Sequence, residues 1–390
     1  MNPSSAGWIK KLLKFLEGNT QFLNYPEDDF YSILRDTGFI YGTNLKVINN
    51  HFKEFNLTEA EMCKVNLCLS LLYTHQKLNH GSNFIDSVIN FYKEIGEYKL
   101  SFFKELLGSS TSSEQLENII HKRTQIDDNF ITKNFNYFLI NGLLYIDVLA
   151  YRAFIKGDEF SLDYLKNLEA SIEAISLNVI ISKKEKTEYD ESLIKLFESS
   201  LRYQNKAHFD YKSAIKFINT PQQKKYILDL ACMATWSDKI IEKSEQKFLL
   251  KLGNDLKLSL SSVNESIKAI NDFYDINKDN IALFSSKNLV QSFYDNSSKV
   301  VTTLISRNSK RLYKELIGSK ELMVLISQST VRDLNKEEQK KVQEQLMDIF
   351  KSIPSLAIFL LPGGALLLPL VIKFIPKLLP SAFDDNRIEE

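Results

Sequence analysis

Residues Ile353 to Ile372 read IPSLAIFLLPGGALLLPLVI and contain no charged side chain. Such a run is long enough to cross a bilayer, because a membrane-spanning helix needs about 20 apolar residues. Proline interrupts helices, since it removes a backbone donor and clashes with the preceding turn. Five of the chain's eight prolines lie within or just beyond the run: Pro354, Pro362, Pro369, Pro376 and Pro380. The sequence therefore predicts a membrane element that is kinked, re-entrant or broken.

The middle of the run is the expected turning point of a re-entrant hairpin. Gly363 and Gly364 follow Pro362 directly, and glycine pairs allow another backbone to approach closely. The alternative is that the run forms the buried central helix of a water-soluble domain. Twenty uncharged residues followed by Lys373 favour the membrane.

A second pattern lies immediately upstream of the run. Asn335 is a good N-cap residue, and Glu338 three positions later completes a capping box. Apolar residues then recur on one helical face: Val342, Leu346, Ile349, Phe350 and Ile353. We predict an amphipathic helix that enters the membrane segment or packs beside it.

The rest of the chain reads as all-α. Between Pro26 and Pro354 the only proline is Pro221, and apolar residues recur at spacings of three and four. Asn219 and Thr220 before Pro221 are typical of a helix start. The N-terminal stretch from Trp8 to Leu16 carries an apolar stripe, which predicts a helix packed on a domain, with a membrane-surface helix as the alternative.

Composition excludes several classes of protein. The 390 residues include 49 basic and 49 acidic side chains, so a broad nucleic-acid surface is not expected. We expect Cys63, Cys68 and Cys232 to be buried small side chains in a reducing compartment. No phosphate-binding glycine loop, nucleophile motif or cofactor motif occurs. The sequence therefore predicts a protein that is not an enzyme and uses no cofactor.

The segment from Tyr226 to Ser259, YILDLACMATWSDKIIEKSEQKFLLKLGNDLKLS, resembles the TerB-like helical domain of tellurite-resistance proteins. In that family an apolar helix runs into an Asp-containing turn and a second helix opens around a glutamate. Asp238 and Glu245 stand at those positions here, and the resemblance makes them the candidate metal ligands. Capping explains both residues equally well.

The C-terminal pattern resembles the transmembrane region of the Letm family. A charged helix precedes a proline-interrupted apolar span, which closes on a specific motif: Lys373, Pro376, Leu379, Pro380, Ser381 and Phe383. The layout is most similar to bacterial Letm-related proteins described as biofilm-associated. The resemblance implies a membrane protein with links to ribosome binding or to cation and proton homeostasis. Only DDNRIEE follows Phe383, where Letm proteins carry a ribosome-binding-like domain, and no EF-hand loop occurs.

These patterns predict an all-α chain in five segments: an N-terminal helical region (1–219), a TerB-like domain (220–286), connecting helices (287–334), a Letm-like amphipathic helix with a transmembrane segment (335–383) and a polar tail (384–390). Within the connecting region we predict helices at 288–317 and 318–330. The expected function is a membrane-anchored interaction or scaffold protein, with ion homeostasis and ribosome binding as alternatives. Expected partners are membrane lipid, proteins or further copies of the chain, and no DNA. With no signal peptide in the sequence, the bulk of the chain is expected in the cytoplasm, at the bacterial inner membrane.

Overall fold

The structure of the protein is a computed structural model. It describes residues 1–49, 55–78, 81–96, 111–124, 142–157, 162–182, 210–235, 243–277, 289–360 and 367–378. Within these ranges the chain forms α-helices and short 3-10 helices, with no β-strand. The predicted all-α class is confirmed.

Eleven α-helices precede residue 278 in the described ranges: α1 (Trp8–Leu16), α2 (Glu27–Thr37), α3 (Glu59–Leu78), α4 (Phe84–Gly96), α5 (Ser112–Thr124), α6 (Tyr145–Lys156), α7 (Leu162–Ile181), α8 (Tyr211–Phe217), α9 (Pro221–Thr235), α10 (Lys243–Asp255) and α11 (Leu260–Asn277). Five more follow: α12 (Leu289–Arg307), α13 (Ser309–Ile317), α14 (Lys320–Gln328), α15 (Lys336–Ser352) and α16 (Leu368–Leu378).

The first eleven helices share one apolar core, with α3 and α9 near its centre. Both helices are buried on nearly all sides, which is typical of central helices. The cysteines Cys63, Cys68 and Cys232 lie in this core as free, buried thiols, as predicted. Burial raises the pKa of the Cys68 thiol, so it stays protonated near neutral pH.

Helix α1 packs its apolar stripe into the same core, so the packing prediction for it is confirmed. Its N-terminus is capped by a side chain from α5. Both carboxylate oxygens of Glu117 accept backbone N–H bonds, from Gly7 at 2.8 Å and Ile9 at 2.9 Å. Gly7 has a φ of +82°, a conformation that glycine adopts without strain. This contact connects the start of the chain to a helix more than a hundred residues away.

The helix start predicted at Pro221 is confirmed by a reciprocal cap. The Thr220 hydroxyl accepts the Gln223 N–H at 3.2 Å. In return, the Gln223 amide oxygen accepts N–H bonds from Asn219 and Thr220 at 3.1 and 3.0 Å. These bonds satisfy donors that a helix N-terminus leaves open.

A buried ion pair joins α2 to α9. The Arg35 guanidinium donates from Nε and Nη2 to the two oxygens of Asp229, each at 2.8 Å. Tyr31 adds a third hydrogen bond to the same carboxylate at 2.7 Å. Arg35 is 4% exposed and Asp229 is fully buried. A bidentate pair of this kind is strong only while both partners remain.

Helix α10 ends in a left-handed residue that is not glycine. Lys257 has a φ of +58°, and the Leu258 N–H reaches back to the Gly253 carbonyl at 2.8 Å, as in a Schellman motif. Gly253 has no room for a side chain, because an added Cβ would lie 2.2 Å from the Val263 side chain. The local geometry therefore requires glycine at 253 and would favour it at 257.

We expect Lys257→Gly to raise the free energy of unfolding by about 0.5–1 kcal/mol, because glycine adopts the left-handed conformation without a Cβ clash. Chemical denaturation followed by circular dichroism measures the change. The matched control is Lys247→Gly on the exposed face of α10, which should lower stability by about 1 kcal/mol. A loss of stability in both variants would contradict the capping geometry.

The last five helices and the 3-10 helix at Pro354–Leu360 surround a second apolar core. We call these elements the C-terminal lobe. An ion pair connects it to the first core: Arg307 of α12 binds Glu61 of α3 at 2.5 and 2.9 Å. Burial by itself raises the pKa of Glu61, but hydrogen bonds from Arg307, Thr58 and Ser4 outweigh it and the net pKa is lowered. Glu61 is therefore charged at neutral pH.

Candidate functional site: the C-terminal lobe

The predicted amphipathic helix is α15, and its cap is the one expected. The Asn335 side chain accepts the Glu338 N–H at 2.9 Å, and the Glu338 carboxylate accepts the Asn335 N–H at 2.9 Å. The expected apolar stripe lies in the second core, with Val342, Leu346 and Phe350 fully buried. Helix α15 therefore packs within the lobe beside the apolar run.

The first half of the apolar run folds back on α15. Its 3-10 helix spans Pro354–Leu360 and buries Leu356 and Phe359. The ring of Phe359 lies 4.8 Å from that of Phe350 between centroids. Aromatic pairs at this separation add to the burial of their apolar area.

The second half of the run enters α16, which packs on α12 and α14. Leu368, Leu370, Val371 and Ile375 are buried in the second core. Proline is tolerated at two points of this helix for different reasons. Pro369 lies in the first turn, where no intrahelical donor is needed. Pro376 lies near the last turn, where it removes one of the final hydrogen bonds.

Two lysines lie on the outer side of α16. Lys373 and Lys377 are exposed, and Pro369 is exposed beside them. The described part of the Letm-like motif thus combines an apolar face turned to the lobe with a basic face turned outward. The other predicted residues of this motif and of the hairpin lie outside the described ranges: Pro362, Gly363, Gly364, Leu379, Pro380, Ser381 and Phe383.

Within the described residues, no helix combines the length and apolar character needed to cross a bilayer. The described parts of the run form two short elements, at Pro354–Leu360 and at Leu368–Leu378. The membrane segment stays a prediction.

The predicted helix 288–317 is wrong in one respect, because the chain breaks at Asn308. Its side chain donates to the Leu304 carbonyl at 2.6 Å and accepts from the Ser355 hydroxyl at 3.0 Å. Asparagine favours such side-chain to backbone bonds over helix continuation. The break separates α12 from α13 and lets α13 and α14 pack against one another.

The sequence analysis did not predict that α12 and α14 pack on α16, which contains the end of the apolar run. Buried residues of both helices follow helical spacing, as in Val301 and Ile305 or Leu322 and Ile326. That pattern shows an apolar face but does not identify the segment packed on it.

An ion pair beside the N-terminus of α15 strongly lowers the pKa of one carboxyl group. Arg332 donates to both oxygens of Glu338, at 2.7 and 2.8 Å. This hydrogen bonding, together with the Asn335 N–H, lowers the pKa of Glu338 from 4.5 to about 2. Because the pKa of Glu338 is lower in the folded chain than its ordinary value, the ionised carboxylate stabilises the cap above pH 4.5. This stabilisation is lost as the pH falls towards 2.

We expect the Glu338 carboxyl to titrate near pH 2 in an NMR titration of side-chain resonances. In Arg332→Ala the same carboxyl should titrate closer to its ordinary value of 4.5. Lys340→Ala, on the exposed face of α15, is the control and should leave the pKa of Glu338 unchanged. An ordinary pKa in the unmodified chain would contradict the Arg332 contact.

Only one of the two candidate metal ligands lies in the part of the chain that the structure describes. Glu245 is 1% exposed in the first turn of α10, and Asp238 lies outside the described residues. In the ranges described, no three His, Cys, Asp or Glu side chains come together as a metal site. The assignment of these two residues to metal stays a prediction.

The fold and this lobe define an all-α protein with a compact C-terminal lobe around a proline-interrupted apolar segment. A family model described as "LETM1-like, RBD" matches residues 334–390, which begin one position before the cap of α15. The "LETM1 domain-containing protein mdm28, mitochondrial" of Schizosaccharomyces pombe is 30% identical over 101 residues. No solved structure matches the chain.

The match to the yeast protein covers 26% of this chain and 18% of that protein. Together the two matches support the Letm resemblance predicted from the closing motif. The TerB-like, bacterial and biofilm-associated assignments stay predictions.

Proposed function

We propose that the chain is a membrane-associated, non-enzymatic interaction protein of the Letm type. Its C-terminal lobe would engage the bilayer, and its larger helical core would bind protein partners. The observation that carries the proposal is the family match over residues 334–390, which include the uncharged run from Ile353 to Ile372. The yeast relative is named as a mitochondrial protein, and for this chain we favour a bacterial inner membrane with the core in the cytoplasm.

The charge distribution on α16 supports this role. Lys373 and Lys377 are exposed directly beside the apolar run. Basic residues next to an apolar segment favour an anionic lipid surface, with about 1 kcal/mol of attraction per lysine near the surface. The basic side of α16 therefore provides a first contact with lipid headgroups.

Full engagement of the bilayer requires the lobe to open. Leu356, Phe359 and Val371 are covered by other helices of the lobe. Lipid tails are as apolar as leucine, so exchanging helix contacts for lipid contacts costs little hydrophobic free energy. In water the same opening would expose the second core, which makes the lobe stable until a bilayer is present.

Vesicle flotation of the full chain tests the proposal. We expect it to float with vesicles that contain anionic lipid, and Lys373→Glu with Lys377→Glu to reduce the floating fraction several-fold. The matched control reverses two exposed lysines of α10, Lys243→Glu and Lys247→Glu, and should float like the unmodified chain. No flotation, or equal losses in the two double variants, would contradict engagement through the lobe.

A second candidate is ribosome association, favoured by the description of the matching family model as an RBD. Its test is co-sedimentation of the full chain with purified ribosomes, lost at high salt. A chain that co-sediments with ribosomes and does not float with vesicles would favour this candidate. Cation or proton flux through reconstituted vesicles would instead favour the ion-homeostasis alternative.

A further inference from the structure

The outer face of α13 presents a row of cations that ends in an apolar residue. Lys310, Lys314 and Ile317 stand at positions i, i+4 and i+7, which fall on one face of an α-helix. All three side chains are exposed. Leu312 and Leu316, on the opposite side of the helix, are buried in the second core. Helix α13 is therefore amphipathic, and its outer face is basic.

Two more cations extend this face, one beside the row and one after the turn that follows α13. We call these residues together the α13 ridge: Lys310, Arg311, Lys314, Ile317 and Lys320. Residues 309–320 contain four cations and a single carboxylate, that of Glu315. The ridge therefore carries a clear excess of positive charge.

The lysines of the ridge are not neutralised by neighbours. They form no ion pair with any residue that the structure describes. On α15, by contrast, Lys340, Lys341 and Lys351 each lie between 2.7 and 3.9 Å from a carboxylate. Cations in a row without partners produce a positive potential that attracts an anionic surface.

A fixed turn holds Ile317 at the end of the ridge. The Ser319 N–H donates to the Leu316 carbonyl at 2.9 Å, and the Ser319 hydroxyl donates to the Gln345 side chain of α15 at 2.7 Å. Ile317 is 50% exposed beside this turn. One exposed isoleucine is ordinary on a protein surface. An apolar residue among lysines, however, is typical of segments that lie on a bilayer, where it enters the boundary between headgroups and acyl chains.

The ridge lies against the entry to the uncharged run. Arg311 donates from Nη2 to the Ser352 carbonyl at 2.7 Å, and Ser352 directly precedes Ile353, the first residue of the run. Asn308, immediately before α13, accepts a hydrogen bond at 3.0 Å from Ser355 within the run. Cations that bind headgroups are common at the boundary of a segment that enters lipid. This position favours a bilayer over an acidic protein or RNA as the surface that the ridge meets.

We propose that the α13 ridge docks on the headgroups of anionic phospholipids, with Ile317 inserted at the boundary between headgroups and acyl chains. The inference rests on the membrane association proposed above. It adds a contact at the start of the apolar run to that of Lys373 and Lys377 near its end. Each lysine near an anionic bilayer strengthens partitioning about fivefold. With both sites bound, both ends of the run lie at the level of the headgroups.

A dye attached at position 317 tests the insertion directly. The native cysteines are buried, so a thiol introduced at the surface is the reactive one. In Ile317→Cys, an environment-sensitive dye should brighten several-fold when the labelled full chain meets vesicles of phosphatidylglycerol and phosphatidylcholine. The matched control is Leu260→Cys, which replaces an apolar residue that is 64% exposed at the start of α11. Its dye should stay in water and keep its intensity.

Charge reversal tests the headgroup contact, at fixed ionic strength because salt screens exposed charges. Lys310→Glu with Lys314→Glu should lower the fraction that floats with the same vesicles by more than about tenfold. Lys310→Arg with Lys314→Arg keeps the charge and should float like the unmodified chain. The matched control, Lys243→Glu with Lys247→Glu on α10, should also float normally. Thermal unfolding followed by circular dichroism should be unchanged in all three, because these lysines are exposed.

The outcomes separate this proposal from the membrane association on which it rests. If the unmodified chain floats, but the reversed ridge floats equally well or the dye at position 317 stays in water, the ridge is not a docking site and the membrane association stands. If the unmodified chain does not float, both proposals fall. The docking proposal is also overturned if the reversal abolishes co-sedimentation with ribosomes and leaves flotation unchanged, since the ridge would then bind the ribosome.

Discussion

Asp229→Ala is expected to lower the free energy of unfolding by about 3–5 kcal/mol, because it leaves the Arg35 guanidinium buried without its carboxylate. Tyr31 loses its acceptor in the same variant. Glu265 still lies 2.7 Å from Arg35, but it is 55% exposed and binds only one of the guanidinium nitrogens. It therefore cannot replace the two bonds that Asp229 accepts.

Urea denaturation followed by far-ultraviolet circular dichroism measures this loss. Asp28→Ala is the matched control, since Asp28 is 89% exposed and its ion pair with Lys225 lies at the surface, and it should change stability by less than about 1 kcal/mol. The double variant Arg35→Met, Asp229→Leu should be closer to the unmodified chain than Asp229→Ala. A cost below about 1 kcal/mol for Asp229→Ala would show that the pair is not buried between α2 and α9.

The second large effect is expected in the C-terminal lobe. Phe350→Ala should cost about 3–5 kcal/mol, because the ring is fully buried and packs on Phe359. The loss should concentrate in the lobe, since Phe350 belongs to the second core and not to the first.

Hydrogen exchange can locate that loss. Amides of α15 and α16 should lose protection in Phe350→Ala, whereas amides of α3 should keep it. The neighbouring variant Lys351→Ala is the control, because that side chain is 65% exposed, and it should change little. Uniform loss of protection in both cores would mean that the lobe does not open separately, contrary to the proposed engagement of the bilayer.

The parts of the fold that sequence predicted are those set by local signals. Asn335 and Glu338 predicted the start of α15 to the residue, and Thr220 before Pro221 predicted the start of α9. Caps and apolar periodicity act within one or two turns, so the printed sequence contains them completely.

The features that the sequence could not predict depend on which distant segments of the chain pack together. An uncharged run has the same sequence whether lipid or protein covers it. Its residues could therefore not reveal that α12 and α14 pack on α16, which contains the end of the run. Arg35 and Asp229 are 194 residues apart, and no spacing rule connects them.

The most direct test of the central claim is carbonate extraction of membranes from cells that make the full chain. We predict that the protein stays in the membrane pellet at high pH, and that a chain ending at residue 352 is released. Recovery of the full chain in the soluble fraction would contradict membrane association, and with it the Letm-type function proposed here.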